Sequence, residues 1–209
     1  QLQHAELLAK PKSPNFSIPL HFPPNVFRQA NLCAFSNIVA RIRERVQSFA
    51  EHDQQGNSNI NCIELYGGVG TIGLHVSDVV SSLVSSDENP NNAKCFDDSV
   101  RALPIEIQGR LRYIRKNAAD MISTETELLR NTQVLIVDPP RKGLDNEVVD
   151  YLCNRSNNSN KAIKLVVYVS CGFQAFQRDC DALIKSGRWK VEFAEGYLLF
   201  PGSDAIETL

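Results

Sequence analysis

From residue 61 to the end of the chain, short apolar runs alternate with segments of helical periodicity, and this alternation constrains the fold more than any other feature. Runs such as VLIVD and KLVVYVS are apolar at almost every position, which is typical of strands covered on both faces. The pattern predicts an α/β fold with a mostly parallel sheet and helices on both faces. Seven strands are predicted, at 61–66, 81–87, 111–115, 134–138, 164–170, 189–199 and 205–209, the last two close together and antiparallel.

The first 30 residues form an irregular, proline-rich lead-in, since prolines at this density exclude a continuous helix. Asn31 then caps a predicted helix in which apolar residues recur at helical spacing up to Phe49. Residues 31–209 are expected to form one domain, because 209 residues with 43% hydrophobic content suit a single core. Further helices are predicted at 72–77, 90–103, 124–130, 146–154 and from about 173 to 186, with loops at 53–59 and 155–161.

The composition limits the cellular compartment and the binding partners that we expect for this chain. A net charge of −2 and a pI near 6.1 mean that any grip on nucleic acid must come from a local patch or from a segment outside this sequence. The six cysteines contain no CxxC pair, so we expect neither a metal site nor disulfides, and a reducing compartment. No apolar run approaches the roughly 20 residues that span a bilayer. We expect an intracellular, cytoplasmic monomer, with a plastid or mitochondrion left open if a transit peptide has been removed.

A glycine-rich turn follows the first strand of the predicted sheet. In ELYGGVGTIG, Gly67, Gly68 and Gly70 permit a tight turn and the close approach of a ligand. Asp87 ends the next strand, where an acid accepts hydrogen bonds from ribose hydroxyls. A dinucleotide would fit the same pair, and a plain strand-to-helix turn without a ligand is the alternative.

Three further candidates follow or lie in other strands. Asp138-Pro139-Pro140-Arg141 is a rigid exit from an apolar strand at the same sheet edge, or else only a connector. Cys171 directly follows another strand, where a nearby positive charge or helix N-terminus would favour its thiolate; most free cysteines are simply small buried hydrophobes. Glu207 lies in the last strand, and an acid there more often faces solvent than acts as a base.

Together these stretches resemble one family, the uridine-5 RNA methyltransferases that modify tRNA and large-subunit rRNA. FRQANLCAF resembles the family's F-x-Q-x-N segment, ELYGGVGTIGL its L-Y-C-G-x-G turn and VDPPRKGL its D-P-P-R-x-G-L signature. YVSCGFQAFQRD resembles S-C-N-P-x-T-x-x-R-D, and LLFPGSDAIETL the closing F-P-x-T-x-H-V-E-T-V. The match runs in order from Phe16 onward.

The resemblance implies a Rossmann-like class I methyltransferase fold, S-adenosyl-L-methionine as cofactor and RNA as substrate. Cys171 would add to C6 of the uracil ring and Glu207 would remove the C5 proton. Pro139, Pro140 and Arg141 would lie on the substrate side. The residues implied to contact the cofactor are Gln29, Tyr66, Gly67, Gly68, Gly70, Thr71, Asp87 and Asp138.

The chain departs from the family pattern at several positions. Gly68 replaces a cysteine, Gly172 and Phe173 replace Asn-Pro after the nucleophile, and Ala205 replaces a histidine. Asn117 stands where an acid often contacts the adenine side. The family's small RNA-binding β-barrel is absent from this sequence, and only two residues follow Glu207, so we expect a catalytic domain of a longer protein.

Three other functions remain possible at this level. A methyltransferase for base amino groups would carry an aromatic residue where Arg141 stands. A catalytically inactive, methyltransferase-like domain that binds RNA or protein would tolerate the changes after Cys171. An NAD-binding oxidoreductase fits the G-x-G-x-x-G spacing from Gly68 but leaves Cys171 and Glu207 without a role.

Overall fold

The centre of the structure is a parallel sheet of five strands. The computed structural model describes residues 14, 16–24, 26, 28, 29, 31–52, 59–154, 162–199 and 206–209. The strands of this sheet are β1 (Asn61–Leu65), β2 (Ser82–Ser86), β3 (Leu111–Ile114), β4 (Val134–Val137) and β5 (Leu165–Tyr168). Their order, β3–β2–β1–β4–β5, reverses direction between β1 and β4, and all four pairings are parallel. The predicted α/β class is confirmed.

Helices cover both faces of the sheet because alternate strand residues face opposite sides. The helices are α1 (Leu32–His52), α2 (Thr71–His75), α3 (Asn92–Arg101), α4 (Ile105–Gln108), α5 (Ala118–Thr124), α6 (Thr126–Arg130), α7 (Asn146–Cys153) and α8 (Phe173–Lys185). On one face Cys62 and Leu83 pack with α1 to α4, and on the other Ile63 and Val84 pack with α5 to α8. The apolar strands are therefore buried on both faces, one face in each of two hydrophobic cores.

The predicted N-cap of α1 is present, since Asn31 Oδ1 accepts a hydrogen bond from the Ala34 amide at 3.0 Å. The segment before α5 was not predicted to start a helix. There Asn117 is the N-cap, with Oδ1 accepting from the Asp120 amide at 2.7 Å. The helix predicted at 124–130 is present as α6, and α5 is an additional helix that ends just before it at Thr124.

The C-terminal strands do not extend the main sheet as predicted. Among the described residues, β6 (Gly196–Tyr197) and β7 (Glu207–Thr208) form a separate antiparallel pair, joined to the end of β5 by one bridge between Ser170 and Thr208. The single seven-stranded sheet was therefore wrong in its strand count, although all seven strands occur. Most of the segment 189–199 lacks a partner strand, and its Phe193 ring packs instead against the guanidinium groups of Arg41 and Arg45 on α1.

The described part of the lead-in lies against the domain. Phe16, Ile18 and Leu20 pack on the core beneath α1, and the His21 amide donates to Ser99 Oγ on α3 at 3.0 Å. Much of the lead-in lies outside the described residues. The loop predicted at 155–161 lies wholly outside them, and the loop predicted at 53–59 mostly so. No helix in the described ranges is long and apolar enough to cross a membrane.

Candidate functional site

A cleft of about 1040 Å³ lies between the lead-in and the carboxyl ends of the strands. Ligands bind at this edge in open α/β sheets, next to the point where strand order reverses. Seven of the eight predicted cofactor residues line the cleft: Gln29, Tyr66, Gly67, Gly68, Thr71, Asp87 and Asp138. The sheet topology thus brings together residues that lie more than 100 positions apart in the sequence.

Gly70 is the predicted cofactor residue that does not line the cleft. Its φ of 80° at the N-cap of α2 is a left-handed conformation that side chains rarely adopt. A Cβ there would also lie 2.5 Å from the Phe96 ring. Gly70 therefore serves the turn, while Gly67 and Gly68 present their backbone to the cleft.

Asp87 anchors the glycine turn. Its Oδ2 accepts from the Gly68 amide at 3.2 Å, and its Oδ1 accepts from the Asn89 amide at 2.8 Å and from Asn92 Nδ2 at 3.1 Å. A carboxylate offers about four acceptor positions, so these three bonds leave about one for a ligand. The carboxylate is consequently fixed in orientation before any ligand binds.

Three buried side-chain oxygens in the cleft accept no hydrogen bond from the described residues: Gln29 Oε1, Glu64 Oε2 and Asn92 Oδ1. Leaving such a group unpaired costs roughly 1–3 kcal/mol, so an unpaired set in one cavity indicates a missing partner. All three are acceptors. The cleft is therefore suited to a ligand that carries several hydrogen-bond donors.

Glu64 was missed by sequence reasoning, which treated β1 as an ordinary buried strand. Its side chain is 1% exposed, and Oε1 accepts from the Gly73 amide at 2.9 Å. Burial raises the pKa of this carboxyl to about 7. The available signal was the position of Glu64 shortly before the glycine turn. In the structure, a Cβ at Gly67 or Gly73 would collide with the Glu64 carboxyl group, so the two glycines leave room for it.

Replacing Glu64 with glutamine should remove a pH-dependent loss of stability. The carboxyl pKa is about 7 when folded and near the ordinary 4.5 when unfolded, so the folded state binds more protons between these values. Wild-type stability should fall as pH rises from about 4.5 to about 7, by roughly 3 kcal/mol in total, and level off above. Urea unfolding of both proteins without ligand measures the difference. The exposed Glu106, changed to glutamine, is the control, and a wild-type-minus-variant difference that stays flat would contradict the assignment.

Cys171 and Glu207 are brought opposite each other by the bridge at the end of β5. The Ser170 amide donates to the Thr208 carbonyl, and the Thr208 amide donates to the Ser170 carbonyl, both at 2.8 Å. In antiparallel pairing the next residue along one strand faces the preceding residue of the other, with Cα atoms about 5 Å apart. The two side chains therefore project from the same face, and both are half-buried.

The charges around the Cys171 thiol are mostly negative. Burial raises its pKa, and the carboxylates of Glu207 and Asp138 raise it further, whereas the Arg141 guanidinium acts in the opposite direction. Burial also raises the pKa of Glu207, and raises that of Asp138 to about 7. The positive surroundings expected for a thiolate are thus limited to Arg141, and two carboxyl groups are available to take the thiol proton.

The loop after β4 packs directly on the backbone that follows Cys171. A Cβ at Gly172 would lie 2.4 Å from the Arg141 carbonyl oxygen, so only glycine permits this approach. Pro139 is buried, while Pro140 and Arg141 are exposed beside the cleft. Gly172, which replaces the asparagine of the family pattern, therefore permits a close contact between the two loops.

Asp179 was not singled out from the sequence, although it belongs to the R-D pair of the resemblance. It is 1% exposed, and its Oδ2 accepts from the Leu144 amide and the Tyr168 hydroxyl, both at 2.8 Å. Arg178 bonds its Oδ1 at 2.7 Å and reaches the Lys142 carbonyl at 2.9 Å. These bonds hold the loop after β4 against α8.

Tyr66 and Asn117 both make hydrogen bonds that hold the local backbone, beyond the ligand contacts considered for them from the sequence. Tyr66 has a left-handed φ of 57°, and its hydroxyl donates to Asp145 Oδ2 at 3.0 Å while accepting from the Asp145 amide. Tyr66 lines the cleft, and its hydroxyl ties the turn to the start of α7. Asn117 caps α5 and is not among the lining residues. In the described ranges no group of three His, Cys, Asp or Glu side chains could hold a metal ion.

Comparison with solved structures identifies the class of the fold. The Pyrococcus abyssi tRNA (uracil-54, C5)-methyltransferase, solved with S-adenosyl-L-homocysteine, superposes with a TM-score of 0.61 at 22% identity, over 88% of this chain and 39% of that one. An S-adenosylmethionine-dependent methyltransferase from Agrobacterium tumefaciens gives 0.58 at 13% identity, over 82% and 60%. The fold is that of the Rossmann-like methyltransferases, as the resemblance implied.

Sequence relatives confirm the particular resemblance. An uncharacterized RNA methyltransferase of Protochlamydia amoebophila is 32% identical over 92% of this chain. The 23S rRNA (uracil(747)-C(5))-methyltransferase RlmC of Xenorhabdus nematophila is 26% identical over 92%. This chain is similar in sequence to both proteins and spans 45% of the length of each. No protein-family model matches the chain.

Proposed function

We propose that this chain transfers a methyl group from S-adenosylmethionine to C5 of a uridine in RNA. The observation that carries the proposal is the juxtaposition of Cys171 and Glu207 by the Ser170–Thr208 bridge. Asp138 connects this pair to the cleft, since it lines the cleft and its charge acts on the thiol. The names of the sequence relatives agree with this reaction.

The cleft fits the cofactor by its hydrogen-bonding character. S-adenosylmethionine carries an ammonium group, two ribose hydroxyls and an adenine amine, all donors, and the cleft offers Gln29 Oε1, Glu64 Oε2 and Asn92 Oδ1 as unpaired acceptors. The acceptor position left on Asp87 would take one ribose hydroxyl, and Asn92 Oδ1 is placed for the other because its amide already bonds Asp87. When bound, the cofactor supplies an electrophilic methyl group.

The residues of this chain perform the remaining steps on the uracil ring. The Cys171 sulfur forms a bond to C6, which makes C5 nucleophilic, and the thiol proton passes to Asp138, so that Glu207 stays unprotonated for the later step. After C5 is methylated, Glu207 removes the C5 proton, the C5–C6 double bond forms again and the C6–S bond breaks. Burial raises the pKa of Glu207 above its ordinary value, which makes its carboxylate a stronger base for this proton.

Labelled S-adenosylmethionine tests the proposed function directly. The full-length protein is incubated with unmodified transcripts of tRNA and large-subunit rRNA, and the RNA is digested to nucleosides. Label in 5-methyluridine is expected. Cofactor binding without methylation of any base would favour a catalytically inactive RNA- or protein-binding domain. Label in another nucleoside would contradict the C5 chemistry.

Replacing Asp87 with alanine is expected to weaken S-adenosylmethionine binding at least about tenfold, or roughly 1.4 kcal/mol. The variant removes a charged acceptor for the ribose and releases the Gly68 amide. Calorimetric titration measures the affinity, and thermal unfolding shows whether the fold survives. The exposed Asp97 on α3, changed to alanine, is the matched control. An unchanged affinity would mean that the ribose lies elsewhere.

A further inference from the structure

Phe173 is an exposed aromatic side chain two residues after Cys171. It is 54% exposed, and within the described part of the chain no other aromatic side chain reaches the exposed class. An exposed phenylalanine leaves its apolar surface in water, which is unfavourable. The other aromatic side chains of the described residues are at least partly buried. Single exposed apolar residues are ordinary, so its meaning depends on what surrounds it.

The position of Phe173 relative to Cys171 is well defined. Phe173 is the first residue of α8, and the Phe176 amide already donates to the Gly172 carbonyl at 2.9 Å. Gly172 is held on the other side by the Arg141 backbone, and its amide donates to Ser170 Oγ at 3.1 Å. The backbone that carries the Phe173 ring is therefore held close to that of Cys171.

The two segments beside Phe173, the loop after β4 and the first half of α8, carry three exposed cationic side chains. The Arg141 guanidinium is exposed and makes no hydrogen bond or ion pair with the described residues, while its charge acts on both Cys171 and Glu207. Lys142 and Arg178 have side chains 68% and 61% exposed and pair with Asp145 and the buried Asp179. Of these three cations, Arg141 is the one that no described acid pairs with, so it is the side chain best suited to face a phosphate.

We propose that Phe173 is the platform on which the nucleobase next to the target uridine stacks, with Arg141 facing the neighbouring phosphate. The inference rests on the proposed function. Cys171 is only half-exposed, so a uracil can meet it only after leaving its own base stack, and the neighbouring base then loses a stacking partner. A phenyl ring replaces that partner whichever base it is, since every base has a π-face. Phe173 thereby favours single-stranded or looped RNA.

The test uses the full-length protein and a short single-stranded RNA with one uridine flanked by the fluorescent base 2-aminopurine. Wild type should quench the fluorescence. Phe173→Leu should not quench, should bind the RNA about tenfold more weakly, and should leave S-adenosylmethionine affinity unchanged, whereas Phe173→Trp should restore both signals. Ile184→Ala, which removes an exposed apolar side chain at the far end of α8, is the control.

A second RNA carries an abasic site at the flanking position. The affinity lost through Phe173→Leu should vanish on this RNA, because the base that would stack is absent. The proposal is overturned if wild type does not quench, if Leu and Trp behave alike, or if the loss persists on the abasic RNA. Methylation of transcripts by wild type is measured separately. Failure of the stacking proposal and failure of the proposed reaction therefore give different results.

Discussion

Replacing Cys171 with serine is expected to reduce RNA methylation by at least about 10³-fold, because a serine hydroxyl is a far weaker nucleophile than a thiolate near neutral pH. With RNA that contains 5-fluorouridine, wild type should form a methylated adduct that survives denaturing electrophoresis, since fluorine at C5 cannot leave as a proton. The serine variant should form no adduct. S-adenosylmethionine affinity should stay within about twofold of wild type, because Cys171 does not line the cleft.

The exposed Cys33 provides the matched control, since Cys33→Ser removes a thiol outside the site and should leave both methylation and trapping intact. An adduct that persists in Cys171→Ser would assign the nucleophile to another residue. Methylation without trapping by either protein would exclude a covalent route altogether.

Replacing Glu207 with glutamine is expected to separate the two halves of the reaction. The variant should still add Cys171 to ordinary uridine and methylate C5, but turnover should fall about 10²–10⁴-fold because the base for the C5 proton is lost. A methylated protein–RNA adduct should therefore accumulate on unmodified substrate, which wild type releases. Electrophoresis with label in the methyl group measures the adduct directly.

The exposed Glu192, changed to glutamine, is the control for a lost carboxylate in the same C-terminal region. Thermal unfolding tests whether Glu207→Gln disturbs the pairing of β7 with Tyr197 and Ser170. Slow turnover with no adduct would place Glu207 before the addition step, as the acceptor of the thiol proton. Normal turnover would give the base role to Asp138, the other carboxylate beside the thiol.

The effect of these two variants depends on one feature of the fold. Cys171 and Glu207 are 36 positions apart, and the antiparallel bridge at Ser170 and Thr208 places them on the same face. Asp179 acts at a greater distance, because its bonds to Leu144 and Tyr168 hold the loop that carries Arg141. A nucleophile on one strand end and a base on another can cooperate only while these contacts hold.

The sequence by itself determined the fold class and the edge of the sheet where the site lies. Continuous apolar runs require burial on both faces, and in a parallel sheet every strand ends at the same edge, so Asp87, Asp138 and Cys171 had to lie along one edge of the sheet. The tight turn at Gly67 and Gly68 could likewise be predicted from residue type alone. Local periodicity and chain direction were sufficient for these inferences.

Only the tertiary structure decided which groups face each other. Glu64 looks like any strand residue until α2 covers it and leaves its Oε2 unpaired in the cleft. The split of the C-terminal strands from the main sheet, the contact of Gly172 with Arg141 and the exposure of Phe173 depend on packing between distant segments. The burial of a side chain, its pKa and the pairing of strands depend on which residues are neighbours in space. Those neighbours come from distant parts of the chain, so local sequence patterns do not specify them.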